Sequence, residues 1–118
     1  MTKAEEDLLT MRLEAGFSDT SDVFVPKGIG PQEYLDSLIA DIQAHRCAPH
    51  QLSATVMEPG FPDLEPGQTV TGICVANRAG YWLVYEPNKD RFYAFWGESP
   101  DSLGAHGVYG SPLYCWSA

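Results

Sequence analysis

Positive charge is scarce in this chain: seven Lys and Arg stand against sixteen Asp and Glu, a formal net charge of −9 with the three His neutral. A field of that sign repels phosphate backbones and anionic lipid, so direct binding to nucleic acid or to a membrane surface is not expected. It favours basic partners, by hastening encounter more than by tightening contact. Long apolar runs are missing too, and nothing approaches the roughly 18 consecutive apolar residues of a membrane helix. Cysteine is sparse and odd in number. Cys47, Cys74 and Cys115 lie far apart, a poor disulfide framework that fits reduced cytosolic thiols. The opening Met1-Thr2-Lys3-Ala4-Glu5-Glu6-Asp7 holds no basic stretch followed by an apolar run, and no small-residue cleavage site follows. A secretory signal is therefore not expected, a cytoplasmic location is, and Ser117-Ala118 is expected to be the natural end. The common catalytic signatures are absent as well. There is no G-x-S-x-G, no P-loop, no dinucleotide fingerprint, and no internal repeat or low-complexity tract.

What remains is an ordinary globular composition. The 118 residues are 44% hydrophobic and 19% charged, enough apolar surface to offset the entropy of ordering one domain and too little chain for two, so residues 1–118 are expected to form a single domain. Leu8, Leu9, Met11, Leu13 and Ala15 recur at helical spacing over residues 4–15, with Glu5-Glu6-Asp7 at the positive dipole end and Gly16 to close. Residues 17–30 have neither period and read as a loop, with an extended stretch expected at Val23-Phe24-Val25. Pro31 then opens a second helix. Its apolar stripe of Tyr34, Leu35, Leu38, Ile39 and Ile42 runs to about Arg46. After His50 the period changes to two. Leu52, Ala54 and Val56 mark a half-buried strand, three prolines in Glu58–Gly67 mark a loop, and strands are expected over 69–76, 81–86 and 91–96, separated by Asn77-Arg78-Ala79-Gly80 and Pro87-Asn88-Lys89-Asp90. Residues 97–107 read as irregular and Leu113–Trp116 as a short terminal edge strand.

Helices first and strands after predict an α+β domain: an antiparallel sheet of four to five strands with two N-terminal helices, the longer packed on one face. The strands Tyr81–Tyr85 and Phe92–Trp96 are apolar on both alternating sets, and ten of the fourteen aromatics lie after residue 80. Two helices cover only one face of such a sheet. The other is then covered by the long loops 17–30, 58–67 and 97–110, or it presents Tyr and Trp to a partner, types enriched at interface cores.

Candidate chemistry is thin. His45-x-Cys47-x-x-His50 is the densest set of metal-ligand types, and Cys115 or His106 from afar would complete a tetrahedron, but no second ligand pair accompanies it, and a His at a helix C-terminus is explained by the dipole. No metal and no cofactor are expected. A nucleophilic cysteine needs a base in reach, and Cys47 with His45 or His50, or Cys115 with His106, are the pairings available. No family signature surrounds them, and Cys74 and Cys115 read as small buried hydrophobes in strands. Carboxylate pairs for acid–base work, Glu98 with Asp101 or Glu58 with Asp63 and Glu65, have nothing in sequence to split their pKa values. No catalytic residue is assigned and an enzyme is not expected. What stands out is that no Lys or Arg occurs from Cys47 to Asn77, nor from Phe92 to the end, so the acidic loops are expected to carry unneutralised charge.

The reading that unites these features is a binding protein for a basic partner surface. Acidic loops would steer and aromatic groups would supply affinity, with Phe61, Asp63, Glu65, Trp96, Glu98, Asp101 and Tyr109 as the partner-binding residues. In size, acidity, α+β patterning and lack of catalytic motif the chain resembles bacterial toxin-immunity proteins. The resemblance is one of type over the whole chain and carries no site residue with it. It implies a cognate toxin as partner, often a nuclease with a cationic cleft, and a heterodimeric complex. Two alternatives stay open. One is an acidic mimic of nucleic acid that inhibits a nucleic-acid-binding enzyme. The other is a small-molecule domain or enzyme whose pocket is lined by Trp82, Tyr85, Trp96, Tyr109 and Trp116, with His106 or a carboxylate as its polar element. A homodimer across the aromatic face would bury the same groups.

Overall fold

The computed structural model describes residues 2–118. Two helices, α1 (Lys3–Gly16) and α2 (Pro31–Ala44), precede five strands, β1 (Arg46–Val56), β2 (Thr69–Arg78), β3 (Tyr81–Glu86), β4 (Arg91–Gly97) and β5 (Leu103–Gly110), and a short helix α3 (Pro112–Ser117) ends the chain. The class is α+β, with a five-stranded antiparallel meander behind two N-terminal helices of 14 residues each. Among the described residues no helix is long and apolar enough to cross a membrane.

Local chemistry accounts for the helix starts. Thr2 accepts from the Glu5 amide while the Glu5 carboxylate accepts from the Thr2 amide, a reciprocal capping box. Pro31 begins α2 with its fixed φ, and the helix stops at Ala44 with His45 as its C-cap, two residues short of the expected limit because Arg46 already belongs to β1. No strand forms at Val23-Phe24-Val25.

The meander closes on itself. β1 and β5, the first and last strands, pair in parallel through Thr55 with Gly104 and Val56 with Ala105, so the sheet is a barrel in the order β1-β2-β3-β4-β5. Closure explains the two-sided apolar strands. Trp82, Val84, Tyr93 and Phe95 join Leu52, Ala54, Val56, Val70, Leu103 and Ala105 in a cluster that fills the barrel. Tyr81, Leu83, Tyr85, Phe92 and Ala94 face outward, onto Leu9 and Leu13 of α1, Leu38 and Ile42 of α2, and Leu113 and Trp116 of α3. The second face of the sheet is neither bare nor roofed by long loops; it is the barrel interior.

Two expectations for the C-terminal quarter are corrected. Residues 103–110 form a strand, not an irregular segment, because pairing with β4 overrides the weak strand propensity of Gly104, Gly107 and Gly110. Leu113–Trp116 is helix, not an edge strand: Ser111 caps it by accepting from the Tyr114 amide, and Pro112 sits at its first position. This helix is wedged into the outer layer. Pro112, Leu113, Cys115 and Trp116 are buried, and the Trp116 indole donates to Asp41 Oδ2 at 2.8 Å while Arg78 lies over its ring at 4.5 Å. Asp41 also pairs with Arg78, so one carboxylate ties α2, β2 and α3 together. Gly16 is required where α1 meets α3, since a Cβ there would stand 2.6 Å from the Pro112 ring.

Candidate functional site

The residues expected to bind a partner divide into two groups. Phe61 is buried, capping the barrel with its ring edge-on to Tyr93 at 5.3 Å and to Tyr109 at 5.6 Å. Asp63, in the same loop, is not an unneutralised charge. It pairs with Lys89 and with Arg91, whose Nη2 stands 2.8 Å from Oδ1, and the two cations hold its carboxyl well below the usual range, at about 2. Arg91 is the hub of this end. Its guanidinium lies over the rings of Tyr93 (5.0 Å) and Tyr109 (4.8 Å), its Nε donates to the Tyr93 hydroxyl, and that hydroxyl donates to Glu86. Phe61, Asp63 and Tyr109 thus fasten the β1–β2 loop over the barrel.

The second group stays at the surface. Trp96, half-buried, stacks edge-on with Tyr81 at 5.2 Å and with His106 at 5.6 Å, and it pairs in register with Gly104 of β5. A Cβ at Gly104 would stand 2.9 Å from the His106 ring and 3.2 Å from the Met57 side chain. Met57, 44% exposed, therefore lies beside His106 on the outside of the β1–β5 junction, where the His106 ring meets the edge of half-buried Trp96, itself packed against the layer beneath the helices. Beside it, Asp101 and Ser102 share a shallow cavity of about 310 Å³ with Ser53, Thr55 and Thr69. Glu98 is exposed in the same β4–β5 connection, and Glu58 and Glu65 are exposed in the β1–β2 loop. None of Glu58, Glu65, Glu98 and Asp101 makes a salt bridge among the described residues. Met57 was not singled out in the sequence, although the alternation of Leu52, Ala54 and Val56 sends it outward; its place beside Gly104 and His106 comes from the parallel closure.

The five aromatics of the alternative pocket do not converge. Trp82 and Tyr109 belong to the barrel cluster, and Tyr85, Trp96 and Trp116 to the layer beneath the helices, so the sheet itself separates them. A groove of about 440 Å³, bounded by Arg12, Asp19, Asp22, Asp90 and Ser111, contains none of the five.

The His45-x-Cys47-x-x-His50 set is split as well. His45 turns to α2, with Nδ1 2.8 Å from the Asp41 carbonyl. Cys47 and His50 lie in β1, not in a loop, and a three-residue spacing would normally send them to opposite faces. A bulge between Arg46 and His50 breaks that alternation. His50 then sits opposite Cys74 of β2, on the same side of β1 as Leu52, Ala54 and Val56 and at the exposed end of the barrel. The Cys47 and Cys74 sulfurs are 3.7 Å apart, and a His50 ring nitrogen lies within 4.8 Å of both. The hydrogen bond shared by the two sulfurs, with the nearby His50, Asn77 and Arg46, holds the Cys47 thiol below the usual range; the same contact and burial push Cys74 up. Cys74 is the member that sequence reading missed, because only the register of the β1–β2 hairpin brings it in. Cys115 is fully buried in α3, its thiol pushed up by burial, and His106 is an exposed neighbour of Trp96, so that pair is not formed.

No protein-family model, no curated protein and no solved structure matches this chain.

Proposed function

We propose that the protein is a non-enzymatic, cytoplasmic binding protein that covers a basic surface of a partner protein, as immunity proteins cover cognate toxins. The observation that carries this reading is the fate of the cations. Arg46, Arg78, Lys89 and Arg91 are spent within the fold, Arg46 on the Val75 carbonyl and the Thr10 hydroxyl and the others on Asp41, Asp63 and Glu86. Glu58, Glu65, Glu98 and Asp101 are left exposed in the β1–β2 and β4–β5 connections, the one entered from exposed Met57 and the other from half-buried Trp96 with His106 at its side. Exposed carboxylates in the two connections suit electrostatic steering, and the aromatic and thioether groups next to them suit affinity. We draw the proposed interface on Glu65, Trp96, Glu98 and Asp101 from the sequence-based set and on Met57 and His106, and give Phe61, Asp63 and Tyr109 no part in it because they are engaged in fastening the β1–β2 loop.

The test has two stages. A pull-down from the source lysate, eluted by salt and identified by mass, yields the partner, and association kinetics are then measured with both proteins purified. Reversing Glu98 and Asp101 together to Lys is expected to slow association at low salt by about tenfold or more and to flatten its salt dependence. An on-rate indifferent to the reversal removes this face from the model. An acidic or uncharged stoichiometric partner removes the reading itself.

A further inference from the structure

We propose that Cys47, Cys74 and His50 form a zinc(II) site at the mouth of the barrel. The two sulfurs stand 3.7 Å apart. Two thiolates bound to one tetrahedral zinc, each about 2.3 Å from the metal, stand about 3.8 Å apart. The sulfurs thus already have the separation that a metal bridges, whereas a disulfide would draw them in to about 2.05 Å. His50 supplies the third donor within 4.8 Å. Its Nδ1 lies 2.9 Å from the Ala48 carbonyl. Donation of that N–H fixes the tautomer and leaves Nε2 with its lone pair for a ligand bond, the arrangement common to metal-binding imidazoles.

The backbone is organised for this convergence. The β1 bulge brings Cys47 and His50 to one side of the strand, and cross-strand register sets Cys74 opposite His50. Both hairpin strands therefore contribute ligands. The burial gradient also fits, running from buried Cys74 through half-buried Cys47 to exposed His50, so the site has an inner wall and an entrance. Two sulfurs and one imidazole favour zinc over the hard cations, whose sites are built from oxygen. Binding forms two Zn–S bonds and one Zn–N bond, water completes the tetrahedron, and each thiol still protonated releases its proton to the buffer. No oxidant or reductant takes part.

The test uses the full chain, reduced and stripped of metal, titrated with cobalt(II) as a spectroscopic probe and then with zinc. One cobalt per chain is expected, with a thiolate-to-metal charge-transfer band and the intense visible bands of tetrahedral cobalt, all bleached by zinc. Cys47→Ser is expected to abolish the charge-transfer band or weaken binding at least about 100-fold, and His50→Ala to weaken it about tenfold or more. His50 is exposed, so His50→Ala keeps the test informative if Cys47→Ser fails to fold, which circular dichroism reports. Bands that survive both substitutions overturn the site, as does reduced wild-type protein that gives no tetrahedral spectrum. Chain purified without reductant in which only Cys115 alkylates after denaturation, and whose reduced form ignores cobalt, would make Cys47 and Cys74 a disulfide pair instead. None of these outcomes depends on the protein having a partner.

Discussion

Asp63 holds two cations at once, and its ionisation therefore governs how firmly the β1–β2 loop is fastened. Its folded pKa is depressed from 3.8 to about 2 by Arg91 and Lys89. A depressed carboxyl contributes stability that is fully present above the unfolded value and is lost as pH falls through the folded one. Asp63→Asn removes that contribution at every pH. The melting temperatures of wild type and variant should differ by a constant, small amount above about pH 4 and converge towards pH 2. A gap as wide at pH 2 as at neutral pH would show that the asparagine costs something other than charge. Arg91 illustrates what residue-by-residue reading leaves out. It lies 28 positions beyond Asp63, and a stretch of chain that looks uncompensated along the sequence is compensated across space. The same limit hid Cys74 from the His45-Cys47-His50 cluster.

Among the elements, α2 and the β2–β3–β4 meander were legible because their signals are local: a 3.6-residue stripe starting at a proline, and period-two strands separated by turn tetrapeptides. Leu38 and Ile42 are buried as that stripe requires. Leu38→Ala is expected to cost about 2–5 kcal/mol by lost burial and a cavity, read as a lower midpoint in urea. An unmoved midpoint would place Leu38 outside the core. α3 was readable in principle, since Ser111-Pro112 is a helix-start pair, but in six residues helical and strand periods are hard to tell apart. Its weight in the fold exceeds its length. Trp116 is completely buried, stacks edge-on against Tyr81 at 5.6 Å and satisfies Asp41. Trp116→Phe keeps most of the volume and drops the indole donor, whereas Trp116→Ala removes both. The expected loss for Trp116→Ala is about 3–5 kcal/mol, with a smaller one for Trp116→Phe. Equal losses in denaturant titrations would mean that the Asp41 bond, not packing, dominates. β5 was not legible, because a strand with glycine at positions 104, 107 and 110 exists only by virtue of its neighbours.

At the scale of the whole molecule, closure decides which groups meet solvent. It turns a sheet face that sequence alone leaves open into a filled interior, and it sets Met57 beside Gly104 at the join. The join is narrow. β1 meets β5 through two residue pairs, together with the Met57 amide donating to the Ala105 carbonyl at 2.8 Å, while β3 and β4 are matched along six. A barrel fastened so unevenly has a clasp. The clasp is expected to part while the meander and the three helices stay assembled, at a free-energy cost below that of global unfolding. Deuterium should therefore enter the backbone at Met57 well before it enters Leu83 or Ala94, and its rate of entry there times how often the cylinder breathes.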